Sequence, residues 1–244
     1  MQLTSARSRI PNSRYAVVLI AAAAVSIVLI VASQLGVRDG TKTASTATAT
    51  STSKAHAPSL FSGIPQQGTA LGSANAPFTL VEYADLQCPY CARWSRDALP
   101  TVVANYVKTG KLRIVFNGMD FVGPDSRTAL QTAIAAGREH HLWDVVHGLY
   151  AAQGTENTGW VTDELVSQIA AGVPGLDGSK LLAARSASWV ESEVTRASAA
   201  AEAAGVHSTP SFQLGPTGGP FHIVRVDSLG PEGIAPAIDS ALAG

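Results

Sequence analysis

Apolar residues alternate, then recur at helical spacing, then alternate again. Residues 78–84 are rich in β-branched and aromatic side chains, with Phe78, Leu80 and Glu82 on one side, which predicts a strand. A helix is predicted over residues 89–108. Pro89 suits its first turn, where a missing N–H is harmless, and Gly110 suits its end. Residues 111–117 place Leu112, Ile114 and Phe116 on one face, a second strand. Strand, helix, strand predicts a right-handed parallel crossover.

A helical stretch follows. Asp125 is predicted to cap a helix carrying Ala129, Leu130, Ala133, Ile134 and Ala136. Leu142, Val145, Val146 and Leu149 form a second apolar stripe. Thr162, with Asp163 and Glu164 in the first turn, opens another helix that Gly172 ends. Leu181, Leu182 and Trp189 continue the pattern, and residues 190–204 are Ala-rich with Gly205 behind them. Strand character returns at residues 211–214 and 221–226, joined by a Gly/Pro-rich turn. A last helix holds Ile234, Ile238 and Leu242, with Pro236 expected to interrupt it.

The N-terminus has a different pattern. Arg7, Arg9 and Arg14 precede residues 15–37, a run of 23 residues without a charge. As a helix it would be about 35 Å long, against a hydrocarbon core of about 30 Å. It reads as a transmembrane signal-anchor, with residues 1–14 in the cytoplasm and the rest exported. A signal peptide cleaved near Val31-Ala32-Ser33 is the alternative. Among residues 41–55, 13 of 15 are Ser, Thr or Ala, too few large apolar groups to offset ordering entropy. Residues 38–67 therefore read as a flexible linker, and residues 68–244 as the folded domain.

Composition narrows the chemistry. Net charge is −1 and the 17 basic residues form no block, so no nucleic-acid footprint is present. Only two cysteines exist, in the run Cys88-Pro89-Tyr90-Cys91. At a helix start, the first sulfur faces unsatisfied N–H groups and the positive end of the helix dipole. Both favour thiolate, the species that attacks in disulfide exchange and the better leaving group. Cys91, one turn further in, can close an internal disulfide with Cys88 or resolve a mixed one. Half of a zinc site is the alternative, but no further cysteine exists and the six histidines show no partner spacing. No metal or cofactor is expected. An inert structural disulfide is a second alternative, although so small a loop constrains little of the unfolded chain. Glu82 shares parity with Phe78 and Leu80, so its carboxyl points into an apolar layer, where it could move protons to or from Cys91. A Glu at a solvated strand edge is the other reading. Thr209-Pro210 stands just ahead of the strand at Phe212.

Residues 81–91, ending in Cys88-Pro89-Tyr90-Cys91, and residues 205–212, containing Thr209-Pro210, resemble the DsbA-like branch of the thioredoxin superfamily. The helical stretch with Trp143, His147 and Leu149 resembles that branch's insert. The resemblance implies an α/β fold, a thioredoxin-type sheet with a helical subdomain inserted at about residues 122–190. It implies that Cys88 is the nucleophile and Cys91 the resolving cysteine, that Pro89 and Tyr90 tune the potential, and that Glu82 is the buried acid. Pro210 would be cis and face the cysteines, with Thr209 beside it in a substrate-contacting loop. Two departures stand out. The best-known relatives carry His where this chain has Tyr90, removing a charge that would stabilise the thiolate, and many have Gly where this chain has Ser208.

The expected function is an extracytoplasmic protein-disulfide oxidase. Exported cysteine-containing proteins would be its substrates, and a membrane redox partner would recycle it. A reductase or isomerase is the nearest alternative, because direction depends on potential. A non-catalytic thioredoxin-fold binding protein is the alternative from another class.

Overall fold

A computed structural model describes residues 59–244. The predicted membrane span at residues 15–37 lies outside that range. No helix among the described residues is long and apolar enough to cross a membrane.

Six strands form one sheet: β1 (Gln66–Gln67), β2 (Ala70–Leu71), β3 (Phe78–Asp85), β4 (Leu112–Met119), β5 (Ser211–Pro216) and β6 (His222–Val224). Their spatial order is β1-β2-β4-β3-β5-β6. Only β3 and β4 run parallel, with Leu80 opposite Ile114 and Glu82 opposite Phe116. β5 pairs antiparallel with β3, placing Phe212 opposite Glu82. Alternation then puts Leu80, Glu82, Ile114, Phe116, Phe212 and Leu214 on one face, all buried. Trp94 packs on Phe212 at 4.5 Å between ring centroids, and Trp143 on Phe116 at 6.0 Å.

The predicted helix over residues 89–108 is broken. It comprises α1 (Pro89–Asp97), α2 (Leu99–Val102) and a π-helical segment, Val103–Val107. Pro100 has no N–H to offer the Arg96 carbonyl, so the regular ladder stops near Ala98 and restarts. Gly110, at φ 73°, makes the turn into β4 in a conformation that a side chain would disfavour.

Five helices lie between β4 and β5: α3 (Pro124–Gly137), α4 (Leu142–Ala151), α5 (Asp163–Ala171), α6 (Gly178–Ala184) and α7 (Ser188–Ala203). The insertion thus reaches past residue 190, because the Ala-rich segment packs against β4 as its last helix. Thr162 caps α5 as predicted, its hydroxyl accepting from the Leu165 N–H at 3.2 Å. Asp125 does not cap α3. The helix starts at Pro124 with Gly123 ahead of it, and the Asp125 carboxylate instead accepts from the Gly159 N–H at 2.8 Å. Nor does Pro236 interrupt the last helix, α8 (Pro231–Ala243). Buried Ile234 and Ile238 flank it, and their packing offsets the one lost hydrogen bond. The predicted strand at residues 221–226 shrinks to β6, an edge strand that leaves Phe221 and Ile223 exposed.

Order begins before Gly68. Phe61 is buried, 6.1 Å from Trp143 and 5.9 Å from His147 between ring centroids. Gln66 donates to Asp144 at 2.7 Å and accepts from the Trp143 N–H at 2.9 Å, tying β1 to the start of α4.

Candidate active site

β3 ends at Asp85, and the chain turns at once into α1. The Asp85 carboxylate accepts from the Gln87 N–H at 2.8 Å, and its carbonyl accepts from the Cys88 N–H at 3.0 Å. These bonds set Cys88 as the capping residue of α1, with extended backbone (φ −71°, ψ 120°) and Pro89 in the first turn. Cys88 is 7% exposed, Cys91 is 0% exposed, and Tyr90 stands out at 61%. Both cysteines are free thiols in this structure, so the predicted disulfide is in its reduced form.

The two sulfurs differ sharply. The Cys88 thiol is pulled from 9.0 down to about 6, mainly by the hydrogen bond from the Cys91 thiol. Burial opposes this; the Thr209 side chain and the Cys91 and Tyr90 amides add to it. The amides point at the sulfur without reaching full side-chain capping geometry. As a thiol, Cys88 donates to the Thr209 carbonyl at 3.5 Å; as a thiolate it accepts from that residue's side chain. Burial pushes the Cys91 thiol well above its ordinary range, and the neighbouring Cys88 and Glu82 charges push it further. Cys88 should thus be the alkylated sulfur. Its iodoacetamide rate should rise through an inflection near pH 6, and an inflection at or above the ordinary thiol range of about 8.5 would contradict this geometry.

Glu82 is 1% exposed, so it does not sit at a solvated edge. Burial raises its carboxyl from 4.5 to about 8. The Trp94 indole N–H, buried and without a hydrogen-bond partner, faces the carboxyl and offsets part of that rise. The Thr209–Pro210 peptide bond is cis, and its loop lies against Cys88. Cys88, Cys91, Glu82, Thr209 and Pro210 are thus gathered at one end of the sheet, with Pro89 and Tyr90 on the rim. His207 and Ser208 are exposed beside them. Arg93 and Arg96 are exposed as well and both pair with Asp97. Among the described residues no group of three His, Cys, Asp or Glu side chains could hold a metal ion.

A polar network behind the turn has no counterpart in the sequence patterns. Gln87, fully buried, donates to Ser126 and to Asn157, each at 3.0 Å, and accepts from the Asn157 N–H at 2.7 Å. Ser126 donates to Asp85 at 2.7 Å, and the Val122 N–H reaches the same carboxylate at 3.1 Å. Gln153 donates to the carbonyls of Leu86 and Cys88. The only signal in the sequence was position: Asp85 and Gln87 sit directly before the cysteine motif.

A mixed sheet with α1 at its parallel pair, a cis-proline loop facing that helix, and five helices between β4 and β5 is a thioredoxin-type domain with a helical insertion. The family model described as thioredoxin matches residues 65–217, and the chain belongs to that family. A probable disulfide bond formation protein D of Bacillus anthracis is 31% identical over 102 residues, which cover 41% of this chain and 47% of that one. The match thus spans about half the length of this curated relative. Among solved structures, oxidised BdbD from Bacillus subtilis superposes with a TM-score of 0.64 at 22% identity, covering 74% of this chain and 98% of that one. Alpha-DsbA1 from Wolbachia pipientis gives a TM-score of 0.59 at 18% identity, covering 72% and 90%. The fold is therefore DsbA-like.

Proposed function

We propose that this chain is an extracytoplasmic protein-disulfide oxidoreductase that oxidises exported cysteine-containing proteins through Cys88 and Cys91. One observation carries the reading: the Cys88 sulfur lies at the mouth of α1, held towards thiolate, against a buried Cys91 held towards thiol. The name of the Bacillus anthracis relative supports the same chemistry.

The oxidising cycle starts from the Cys88–Cys91 disulfide. A substrate thiolate attacks Cys88 Sγ, a substrate–Cys88 bond forms, and the Cys88–Cys91 bond breaks. Cys91 leaves with the electron pair. Glu82, mostly protonated near neutral pH, supplies the proton that makes it a thiol. A second substrate thiolate then attacks the substrate sulfur and expels Cys88 as a thiolate. Two electrons have moved from the substrate dithiol to the pair. Stabilising that thiolate stabilises the reduced enzyme, which makes its disulfide a stronger oxidant. Thr209 and Pro210 would line the substrate beside the mixed disulfide. Pro89 and Tyr90 tune the potential, and a neutral Tyr90 adds no cationic stabilisation. Re-oxidation falls to a membrane redox partner, and residues 15–37 would anchor the domain beside it.

The test is insulin reduction in dithiothreitol by the purified chain, together with its reduction potential in glutathione buffers. Catalysis is expected, with a potential well above the roughly −270 mV of thioredoxin. Catalysis with a potential near that value would make the protein a reductase. No acceleration at all would favour a binding protein.

A further inference from the structure

Three side chains at intervals of three, on one side of α4 and the turn after it, reach the active-site segment. His147 Nδ1 lies 3.4 Å from Ser95 Oγ on α1. The Tyr150 hydroxyl donates to the Asp85 carbonyl at 3.4 Å. Gln153 Nε2 donates to the Leu86 carbonyl at 2.8 Å and to the Cys88 carbonyl at 3.2 Å. The last contact differs from the others. One amide group bridges two carbonyls on either side of Gln87 and ends on the backbone of the reactive cysteine itself.

Leu86, Gln87 and Cys88 are all buried, so their carbonyls depend on protein donors rather than water. The Cys88 carbonyl already accepts the first bond of α1, from the Ala92 N–H at 3.1 Å. Gln153 adds a second donor there and a donor to Leu86. The helical insertion therefore grips the turn at two places: Ser126 and Asn157 hold the Gln87 side chain, and Gln153 holds the backbone.

We propose that Gln153 is a positioning residue for the disulfide exchange: by holding the Leu86 and Cys88 carbonyls it keeps the Cys88 sulfur over the start of α1 and sets how strongly the pair draws electrons from substrates. The inference rests on the oxidoreductase reading and gives the helical insertion a part in it. Two effects act in one direction. The bonds fix the rotation of the turn, so the sulfur stays aimed at the Tyr90 and Cys91 amides. They also draw negative charge off two carbonyl oxygens next to it. Only the thiolate benefits, so the gain falls to the reduced state and not to the disulfide. The titratable groups sharing the site are Cys91 on α1, Glu82 and Asp85 on β3 and Tyr150 on α4. Gln153 is uncharged, so its removal alters none of them by charge.

The experiment compares Gln153→Ala and Gln153→Glu with wild type in the full chain, titrating Cys88 by thiolate ultraviolet absorbance and measuring the potential against glutathione. Losing both hydrogen bonds in Gln153→Ala should weaken the thiolate about three- to tenfold and make the potential more reducing. Gln153→Glu should go further, since a carboxylate cannot donate and repels the thiolate. Val166→Ala, in the buried core of the insertion, is the control. It should lower thermal stability and leave the Cys88 titration where it was. A Gln153→Ala titration matching wild type overturns the proposal, as does an equal shift in Val166→Ala, which would mark general loosening. The titration needs no substrate. If it shifts while insulin reduction is absent in wild type, the positioning stands and the oxidoreductase reading falls.

Discussion

Cys88→Ser is expected to abolish catalysed insulin reduction, leaving only the rate set by dithiothreitol. A hydroxyl fits the same space, so the loss should come with little change in thermal stability. The remaining sulfur cannot substitute. Cys91 is sealed from solvent, and burial holds it as a thiol, so it neither meets a substrate nor presents the attacking species. Cys91→Ser should fail differently. Cys88, at 7% exposed against 0% for Cys91, is the sulfur a substrate can meet, but nothing lies beside it to release the bond it forms, so mixed disulfides accumulate on non-reducing gels. Trapping by Cys88→Ser instead of Cys91→Ser would reverse the two roles.

Glu82→Gln is expected to stabilise the reduced protein by about 5 kcal/mol at pH 9 and by little at pH 4. The sign follows from the raised carboxyl. An unfolded Glu loses its proton near 4.5, whereas the folded one keeps it to about 8. Between those values the folded state binds more protons than the unfolded, so wild-type stability falls as pH climbs through that window and levels off above it. Each tenfold difference in proton affinity is worth about 1.4 kcal/mol, so the displacement from 4.5 to about 8 sums to about 5 kcal/mol. The amide has no such charge to bury. Cys88 and Asp85 contribute alike to both proteins and cancel in the difference. Urea unfolding at pH 4, 7 and 9 measures it, and a gap that does not grow with pH would show that the carboxyl titrates normally. The variant should also exchange disulfides more slowly, because departing Cys91 has lost its proton source.

Strand parity put Glu82 on the core face, Pro89 marked the helix start behind Cys88, and the Cys-x-x-Cys run with the Thr209-Pro210 resemblance supplied the rest of the site; β3 and the start of α1 stand where these patterns indicate. What periodicity does not encode is a polar side chain satisfied across long separations. Gln87 meets Asn157 from 70 residues away, and Ser126 meets Asp85 from 41, through side-chain bonds that leave no repeating trace. Asp125 misled for a related reason: an acidic residue near a helix start usually caps it, but here Pro124 starts the helix and the carboxylate serves a distant loop. Pro236 misled because local propensity lost to packing around Ile234 and Ile238.

The contact between Cys88 and Thr209 joins residues 121 positions apart, with seven α-helices strung between them. A chain delivered N-terminus first presents both thiols long before β5 arrives to complete the pocket. Until then Cys88 lacks the Thr209 contact, one of the partners that hold it towards thiolate, so a copy truncated before β5 should titrate higher. Length of intervening chain thus delays full reactivity until β5 is in place, with only β6 and α8 still to follow.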